Sequence, residues 1–370
     1  MKKTIILLLV LNSFQNIVAQ KKSINLLVGT YTNACESKGI YVYNFDSITG
    51  NCILKSSTSE SINPSYISVS PNKKNVFAVN ENGEKSTISS FDFNKNTGAL
   101  TLNSIQNALG SDPCYIISDK KNIIAANYSG GDIAVFKHNL GGNLSVAKQV
   151  LQHFGGSTNL QRQKSPHVHM VQFSVDKKYV LAVDLGLDKI MVYDYKPLVQ
   201  KNVLVLNSTV EVKKGSGPRH CAFSKNGTFL YVLQELSGDV SVYTFKNGTL
   251  TLQSETTVLE KNYSNEPRAA DIHISPDNKF LYASNRETAN DISIFKILPE
   301  GNLAFVARMP TLGNGPRNFV IDPSGNFLLV ANQKTNNIVV FARNKTTGLL
   351  SDTGKRINVC SPVCLVFDNQ

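Results

Sequence analysis

The sequence predicts an all-β fold, a seven-bladed β-propeller whose blades are four-stranded antiparallel sheets. Three observations lead to this prediction: a repeat of roughly fifty residues, short stretches of β-branched and aromatic residues between Asn, Asp and Gly turns, and no sustained helical periodicity. A repeated unit with four strands is typical of a propeller blade. With 41% hydrophobic residues, the 370-residue chain can bury the core of such a ring.

Each repeat begins with a proline, followed by a short strand, a polar turn, and a second strand that ends in a small polar residue. A further strand of alternating aliphatic and aromatic residues comes next. The pattern is clear in Pro218-Arg-His-Cys-Ala-Phe, which leads to Phe229-Leu-Tyr-Val-Leu-Gln and then to Val240-Ser-Val-Tyr. The prolines that mark the seven units are Pro64, Pro113, Pro166, Pro218, Pro267, Pro316 and Pro362.

The two ends of the chain complement each other. Pro362 opens a first strand that has no second, whereas residues 24–30 read as a second strand that lacks its first. We therefore expect the C-terminal strand to complete the blade begun at the N terminus, which closes the ring and removes the open sheet edges. A WD40 propeller is excluded, because its repeat is shorter and its Trp-Asp signature requires the Trp that this chain lacks.

The first twenty residues have the pattern of a secretory signal peptide. Lys2 and Lys3 precede an apolar run at residues 5–11, and the small residue Ala19 follows a polar interruption. The run is too short to span a bilayer. We expect residues 1–19 to be a signal peptide, residues 20–370 to form one propeller domain, and the protein to be exported to the periplasm or the extracellular space.

The net charge favours an anionic small molecule as ligand. Lys and Arg number 38 against 27 Asp and Glu, which gives +11, while charged residues make up only 18% of the chain. The lysines occur as scattered pairs without a basic block, so the sequence does not indicate nucleic-acid binding. We expect no membrane span either, and a monomer or weak oligomer.

The six cysteines are dispersed along the chain. Cys35 with Cys52 is the most local disulfide candidate, whereas Cys360 and Cys364 lie too far apart on one extended strand to bond to each other. No zinc-binding spacing occurs. The preferred interpretation is that the cysteines are small buried residues.

Antiparallel geometry gathers polar residues at one end of the ring. The start of the first strand and the end of the second lie at the same face of a blade, and the lysine-rich turns between them lie at the opposite face. We expect a basic pocket with imidazoles and a few carboxylates at one mouth of the central channel, suited to an anionic ligand. Its candidate residues are Tyr128, His167, His169, Asp184, Arg219, His220, Glu235, Arg268, Arg286 and Arg317.

Any single member of this set has a structural alternative. Propeller loops use Arg, Asp and His side chains as hydrogen-bond partners of the turn backbone. Asp184 lies at a position where an Asp commonly stabilises a turn. His167 and His169 lie on one side of a strand and form a candidate metal pair, but the spacing indicates no third ligand. The chain has no nucleophile elbow, P-loop, dinucleotide fingerprint or His-Glu-x-x-His motif, which argues against serine catalysis and nucleotide chemistry.

A set of short motifs resembles those of the seven-bladed β-propeller lactonase family, which includes the propeller-type 6-phosphogluconolactonases and the fungal carboxymuconate-lactonising cycloisomerase. The motifs are Val28-Gly-Thr-Tyr-Thr, Gly39-Ile-Tyr-Val-Tyr, Asn127-Tyr-Ser-Gly-Gly-Asp, Pro166-His-Val-His, Asp184-Leu-Gly, Gly217-Pro-Arg-His, Glu235-Leu, Ser284-Asn-Arg and Gly315-Pro-Arg. The resemblance extends from about Asn25 to Phe367.

This resemblance implies hydrolysis of a sugar-acid lactone, as in a 6-phosphogluconolactonase, without a cofactor or metal. It implies a catalytic set of His169 (or His167), Arg219, Glu235 and Arg286, with Glu235 or His169 as the general base. Substrate-binding residues are then Tyr128, His167, Asp184, His220, Arg268 and Arg317. The alternatives are a non-catalytic exported propeller that binds an anionic sugar or a protein, a cycloisomerase acting on a carboxylated muconolactone, and a metal-assisted lactonase.

Overall fold

Seven four-stranded antiparallel sheets make up the described part of the chain, which is residues 23–139 and 141–368 of a computed structural model. Their innermost strands contact one another in a closed ring. The predicted seven-bladed propeller is therefore confirmed. The predicted signal peptide, residues 1–19, lies outside the described residues, and among these no helix is long and apolar enough to cross a membrane.

The strands of the first three blades follow one another along the chain. Blade 1 begins with β1 (Ser23–Thr30), β2 (Ile40–Asp46) and β3 (Cys52–Thr58). Blade 2 contains β4 (Ile67–Val69), β5 (Asn75–Asn80), β6 (Thr87–Phe93) and β7 (Leu100–Asn107), with a short 3-10 helix at Gly83–Lys85. Blade 3 contains β8 (Pro113–Ser118), β9 (Asn122–Asn127), β10 (Asp132–Lys137) and β11 (Gln149–Gln152).

The remaining blades repeat this order. Blade 4 contains β12 (Val168–Phe173), β13 (Tyr179–Asp184), β14 (Lys189–Tyr195) and β15 (Leu204–Glu211), and blade 5 contains β16 (Pro218–Phe223), β17 (Phe229–Gln234), β18 (Asp239–Lys246) and β19 (Thr249–Thr257). Blade 6 contains β20 (Ala269–Ile274), β21 (Phe280–Asn285), β22 (Asp291–Ile297) and β23 (Leu303–Pro310). Blade 7 contains β24 (Pro316–Ile321), β25 (Phe327–Asn332), β26 (Asn337–Arg343) and β27 (Leu350–Asn358).

The last strand, β28 (Pro362–Phe367), pairs with β1 and completes blade 1. This is the predicted closure of the ring by the two ends of the chain. Burial follows the position of a strand within its blade: β5, β9, β21 and β25 are buried along their whole length, whereas the outermost β7 and β19 alternate with solvent-exposed residues. Strands with sheets packed on both faces have continuous apolar sequences, because neither face meets water.

A β-bulge opens the innermost strand of most blades. In blade 5, Pro218 of β16 pairs with Gln234 of β17, and the next pair is His220 with Leu233. Arg219 therefore has no partner of its own on β17 and is the extra residue of the bulge. The extra residue of blade 4 is His169, and that of blade 7 is Arg317. Because a bulge redirects its extra side chain, each of these residues is turned out of the alternating pattern of its strand.

A disulfide bond joins Cys35, in the loop after β1, to Cys360, in the turn before β28. Cys52, the most local candidate for a disulfide with Cys35, is therefore not its partner, and for Cys35 and Cys360 the preferred interpretation as small buried residues was wrong. β1 ends and β28 begins at the face that carries the candidate site, whereas β3 begins with Cys52 at the opposite face, so nearness in sequence does not bring Cys35 and Cys52 together. The buried cysteines expected from composition are Cys114, Cys221 and Cys364.

Candidate active site

A single carboxylate surrounded by three guanidinium groups forms the centre of the site. Glu235 follows β17 directly and is 3% exposed. Its Oε1 lies 2.7 Å from Arg162 Nη2, and its Oε2 lies 3.0 Å from Arg219 Nε and 3.1 Å from Arg286 Nη2. Burial alone would raise the pKa of Glu235, but the positive charges of Arg286, Arg219 and Arg162 lower it to about 2.

The backbone of blade 6 holds two of these guanidinium groups in place. Arg219 is 1% exposed and donates Nη1 to the carbonyl of Ala270. Arg286, which follows β21, donates Nε to the carbonyl of Arg268 at 3.1 Å. Burial lowers the pKa of Arg286 to about 10, so it keeps its charge at neutral pH. Both arginines therefore present fixed positive charge inside a region of low dielectric constant.

A neutral imidazole lies in the same pocket. His169 is 5% exposed, and its Nδ1 lies 3.7 Å from Cys114 Sγ. No hydrogen bond to its Nε2 is found among the residues that the structure describes. Burial, with the positive charge of Arg219 next, lowers the pKa of His169 well below 6.5. The ring is therefore uncharged at neutral pH and able to accept a proton.

His220 connects this pocket to a buried carboxylate. Its Nδ1 donates to Asp271 Oδ1 at 2.7 Å, and its Nε2 lies 3.3 Å from Arg219 Nη1. Burial and Arg219 lower the pKa of His220 to about 4, so the ring is neutral and Nε2 accepts from the guanidinium. Asp271 also accepts from His273 and Asn318. Asp271 thus selects the tautomer of His220 that holds Arg219.

Arg317 adds a further positive charge near Arg219 and Arg286. Its guanidinium lies 5.5 Å from the centroid of the Tyr31 ring, and the Tyr31 hydroxyl donates to Glu81 Oε2 at 3.0 Å. Among the described residues, no carboxylate lies within ion-pair distance of Arg317. Its charge is therefore available to an anionic group of a ligand.

Tyr128 and His167 form one wall next to the arginines. Their rings stack with centroids 4.4 Å apart, and His167 Nδ1 donates to the Tyr128 carbonyl at 2.9 Å. The Tyr128 hydroxyl accepts from Arg162 Nη2 at 3.4 Å, and the Tyr128 ring lies edge-on to His169, 5.3 Å between centroids. Both residues thus contact members of the central cluster.

The model of the lactonase family described as a 7-bladed beta-propeller matches residues 25–367. The chain belongs to the seven-bladed β-propeller lactonase family. The family match agrees with the resemblance found in the sequence motifs, and the matched residues include almost the whole described propeller.

Several propeller lactonases are similar to this chain over most of their length. The 6-phosphogluconolactonase of Formosa agariphila is 37% identical over 332 residues, which cover 88% of this chain and 94% of the relative. The 6-phosphogluconolactonase of Bacillus subtilis is 32% identical and covers 93% of this chain and 98% of its own. The solved structure of the periplasmic gluconolactonase of Pseudomonas aeruginosa is 35% identical with a TM-score of 0.89, over 93% of this chain and 99% of its own.

The structure brings together around Glu235 most of the residues proposed from the sequence. The proposed catalytic set lies on this one face, with Tyr128 and His220 beside it and the charge of Arg317 near Arg219. Its members are His169, Arg219, Glu235 and Arg286. No group of three His, Cys, Asp or Glu side chains that could hold a metal ion is found in residues 23–139 and 141–368. His167 and His169 instead contact the two ends of Tyr128, its carbonyl and its ring edge.

Two of the proposed substrate-binding residues do not face the pocket. Arg268 pairs with the exposed Glu266 at 3.0 Å and is itself about one-third exposed. Asp184 is fully buried, and its oxygens accept from the amides of His167 and Leu187 and bond to His153 Nδ1 at 2.7 Å. Asp184 shapes the turn after β13, as its alternative interpretation held, and both of its oxygens are engaged by residues of the protein.

The displacement of Arg268 has a simple geometric cause. In blades 5 and 7 the marker proline itself pairs with the end of the second strand, as Pro218 does with Gln234. In blade 6 that place belongs to Ala269, two residues after Pro267, so Ala270 rather than Arg268 corresponds to Arg219. The same shift in blade 4 makes His169, and not His167, the counterpart of Arg219.

Three residues of this candidate site are not among the candidate residues that the sequence indicated. Arg162 lies in the long loop between β11 and β12, outside the repeat, where no spacing indicates its direction. Tyr31 lies within the Val28-Gly-Thr-Tyr-Thr motif, but the motif does not show that an arginine covers its ring. Glu81 follows β5 as Glu235 follows β17, so its strand position already placed it at the same face of the ring, but it was not included among the candidates.

Proposed function

We propose that this protein hydrolyses the cyclic ester of a sugar acid, an aldonolactone of the 6-phosphogluconolactone kind, to the open-chain acid. The observation that carries the proposal is the presence in one buried pocket of a neutral imidazole, His169, and of guanidinium groups held by Glu235. Water adds to the lactone carbonyl carbon, the bond from that carbon to the ring oxygen breaks, and the ring oxygen leaves as a hydroxyl group. The names of the relatives, 6-phosphogluconolactonase and gluconolactonase, support this substrate class.

His169 is the general base in this proposal. Its Nε2 accepts a proton from the attacking water and returns it to the ring oxygen when the ester bond breaks. Glu235 is a weak base, because three guanidinium groups lower its pKa to about 2. Of the two candidates left open by the sequence, the geometry favours His169 as base, because both oxygens of Glu235 are engaged by guanidinium groups whereas Nε2 of His169 has no partner among the described residues. Glu235 then orients the arginines.

Arg219 and Arg286 stabilise the negative charge that develops on the carbonyl oxygen. Both are buried and held by backbone carbonyls, so they need little reorganisation as the charge appears. The Asp271–His220 pair keeps Arg219 in its orientation. The proposal uses no metal and no organic cofactor.

Arg317 supplies the contact to an anionic group of the substrate. A lactone has no free carboxylate, so on a phosphorylated aldonolactone the group that a guanidinium recognises is the phosphate. Arg317 has no carboxylate within ion-pair distance in the described residues, and it lies near enough to Arg219 for the two positive charges to interact. Its free charge supports a phosphorylated substrate over a neutral one.

We also propose that the protein acts outside the cytoplasm, as a monomer or weak oligomer. The N-terminal segment has the pattern of a signal peptide, and the Cys35–Cys360 disulfide is of a kind that persists in oxidising compartments. The similar gluconolactonase of Pseudomonas aeruginosa is described as periplasmic, which supports the same location.

The test follows acid release from freshly prepared 6-phosphoglucono-δ-lactone and glucono-δ-lactone. Turnover of either lactone that falls at least about a hundredfold in Arg219→Ala supports the proposal. Saturable binding of both lactones without turnover above the spontaneous rate would instead identify a non-catalytic sugar-binding propeller. A matched control is Arg356→Ala, which removes an exposed arginine paired with Asp352 on the outermost strand β27 and leaves the pocket intact.

A further inference from the structure

A second carboxylate, that of Glu81, lies across the mouth of the channel from Glu235. Both belong to a set of residues that directly follow the second strand of a blade. Antiparallel pairing places these strand ends at one face of the ring. Blades 2 and 5 are three positions apart in the closed ring of seven, so Glu81 and Glu235 are on opposite sides of its axis. In blade order the set is Tyr31, Glu81, Tyr128, Leu185, Glu235, Arg286 and Gln333.

Glu81 lies close to residues that line the pocket. Burial raises the pKa of the Cys114 thiol to about 12, and the negative charge of Glu81 is the next largest cause. Cys114 is the extra residue of the bulge in blade 3, and its Sγ lies 3.7 Å from His169 Nδ1. The charge of Glu81 also acts on Arg317, the extra residue of the bulge in blade 7. The carboxylate of Glu81 therefore belongs to the same pocket as His169.

One oxygen of Glu81 is free to bind a ligand. Its Oε2 accepts from the Tyr31 hydroxyl at 3.0 Å, whereas no hydrogen bond or ion pair to Oε1 is found within residues 23–139 and 141–368. Glu81 is partly exposed, and Oε1 is in contact with solvent, so a ligand can reach it. Glu235 differs in this respect, because arginines engage both of its oxygens.

The charges of the pocket decide which chemical group suits this oxygen. A carboxylate only accepts hydrogen bonds, so its partner must be a donor. A cationic donor would be repelled by the positive charges of Arg219, Arg286 and Arg317, which lie near enough to act on one another. An anionic group would be repelled by Glu81 itself and attracted by Arg317. A neutral hydroxyl group is the donor that both sides of the pocket tolerate.

Two tyrosines flank Glu81 in the ring of blades. Tyr31 and Tyr128 follow the second strands of blades 1 and 3, on either side of blade 2, and both are partly exposed. Small-molecule sites combine aromatic side chains with a few polar groups that fix orientation. A tyrosine offers an apolar ring face and a polar hydroxyl, which suits a sugar with its C–H and O–H groups.

We infer that Glu81 binds the hydroxyl groups of the substrate and selects polyhydroxylated lactones. Its Oε1 accepts from a ring hydroxyl of the aldonolactone, while the lactone carbonyl faces Arg219 and Arg286 on the opposite side. The hydroxyl-bearing part of the sugar then lies over blades 1 to 3, and the reacting ester lies at blades 4 to 6. This inference rests on the proposed function, because it orients the substrate within the same pocket.

The test measures binding of D-glucono-δ-lactam, a lactone analogue whose ring nitrogen prevents hydrolysis, to the full-length protein by isothermal titration calorimetry. We expect its Kd to rise about tenfold or more in Glu81→Ala, as for the loss of a hydrogen bond to a charged group. Glu81→Gln should give an intermediate Kd, because the amide oxygen still accepts from a hydroxyl. The matched control is Glu300→Gln, which changes an exposed residue of the β22–β23 turn at the opposite face and should leave Kd unchanged.

Binding of inorganic phosphate separates the loss of one hydrogen bond from a distorted pocket. Removal of the negative charge in Glu81→Ala should leave the affinity for phosphate unchanged or increase it, because Arg317 keeps its charge. A distorted pocket would instead bind both phosphate and the lactam more weakly, and that result would overturn the inference. Equal Kd values for the lactam in the wild type and Glu81→Ala, or no saturable binding to the wild type, would overturn it as well.

The acid-release assay distinguishes failure of this inference from failure of the proposed function. Lactone turnover together with a lactam Kd that does not depend on Glu81 would retain the lactonase and reject the hydroxyl-binding role. Lactam binding that depends on Glu81, without lactone turnover above the spontaneous rate, would retain the hydroxyl-binding role and reject the hydrolytic mechanism.

Discussion

His169 and Arg219 occupy the same position in neighbouring blades: each is the extra residue of the β-bulge that opens the innermost strand. Both side chains contact His220, with ring centroids of His169 and His220 5.2 Å apart and Arg219 Nη1 3.3 Å from His220 Nε2. One repeated backbone irregularity thus places a proton acceptor and a positive charge side by side. Since the bulge belongs to the fold, the chemistry of the pocket depends on which residue each blade has at that position.

Replacement of His169 by Asn should remove the general base while keeping a polar side chain of similar reach. We expect kcat to fall by about 10² to 10⁴ with little change in KM, since the loss of proton transfer affects the transition state alone. Initial rates of acid release from the lactone measure the effect. A matched control is His138→Asn, which changes a buried histidine at the opposite face. Equal rates in the His169 and His138 variants would exclude His169 as the base.

The pH profile of kcat/KM should report the environment of His169. Its pKa lies well below 6.5, because the ring is buried and lies near Arg219, so the neutral form persists as the pH falls through 6.5. The rate, corrected for spontaneous hydrolysis, should therefore stay constant as the pH falls from neutral through 6.5 and decline only in more acidic solution. A decline centred near 6.5, the ordinary value for histidine, would contradict the proposed base.

Most of the fold could be predicted, because the same pattern of strands and turns recurs in every repeat. A strand that is uncertain in one copy is supported by the corresponding residues of the others. The marker prolines and the unpaired strand at Pro362 predict seven blades and the closure of the ring. The sequence could predict that Arg219, Glu235 and Arg286 lie close together. Each is at a strand end, and antiparallel pairing determines at which face of the ring that end lies. The sequence does not show their distances, but it shows that they share one face.

The remaining errors come from features that spacing does not encode. Arg162 reaches Glu235 from a long loop outside the repeat, so no register predicts its position. Arg268 was misplaced because Pro267 lies two residues ahead of the strand position that Pro218 and Pro316 occupy. Cys35 bonds Cys360, 325 residues away, since the ring brings the two ends of the chain together whereas β3 begins at the far face.

Arg317 should determine the preference for a phosphorylated substrate. In Arg317→Ala we expect KM for 6-phosphoglucono-δ-lactone to rise by about 10- to 100-fold, as for the loss of a charge-assisted hydrogen bond, and KM for glucono-δ-lactone to change far less. Steady-state kinetics on both lactones measure the difference. Arg268→Ala is the matched control, because that arginine pairs with Glu266 outside the pocket. A similar rise of KM for both lactones would assign Arg317 a general role in place of phosphate recognition.

Glu235→Gln should destabilise the fold, because it leaves three guanidinium groups without their carboxylate. We expect the free energy of unfolding to fall by about 3 to 5 kcal/mol at pH 7, measured by urea denaturation. The carboxylate has a pKa of about 2 in the folded protein against an ordinary 4.5, so its stabilisation is complete above pH 4.5 and is lost as the pH falls toward 2.

The stability gap between the wild type and the Glu235→Gln variant should therefore narrow as the pH falls below about 4.5, by up to about 3 kcal/mol over the whole window. Comparison of the two proteins cancels the titration of other buried carboxylates such as Asp271. A gap that stays constant between pH 6 and pH 3 would show that the arginines do not lower the pKa of Glu235.

Cys35→Ser should weaken the junction of the ring and loosen the loop that carries Tyr31. The disulfide tethers this loop to the turn before β28, where the Tyr31 amide donates to the Ser361 carbonyl at 3.1 Å. We expect a loss of about 2 to 5 kcal/mol in the free energy of unfolding, because the bond closes a very long loop in the unfolded chain. We also expect a higher KM for the phosphorylated lactone, because Arg317 rests on the Tyr31 ring.

The matched control for this change is Cys52→Ser, which alters a free cysteine of the same blade at the opposite face. Urea denaturation and KM, measured for both variants with and without a reductant, separate the two effects. Reductant should lower the wild type to the stability of Cys35→Ser and leave Cys35→Ser unchanged, since the variant has no bond to lose. Reduction of the wild type that changes its stability but not KM would show that the strand pairing between β28 and β1 is sufficient to hold Tyr31 against Arg317. The disulfide would then stabilise the ring without affecting substrate binding.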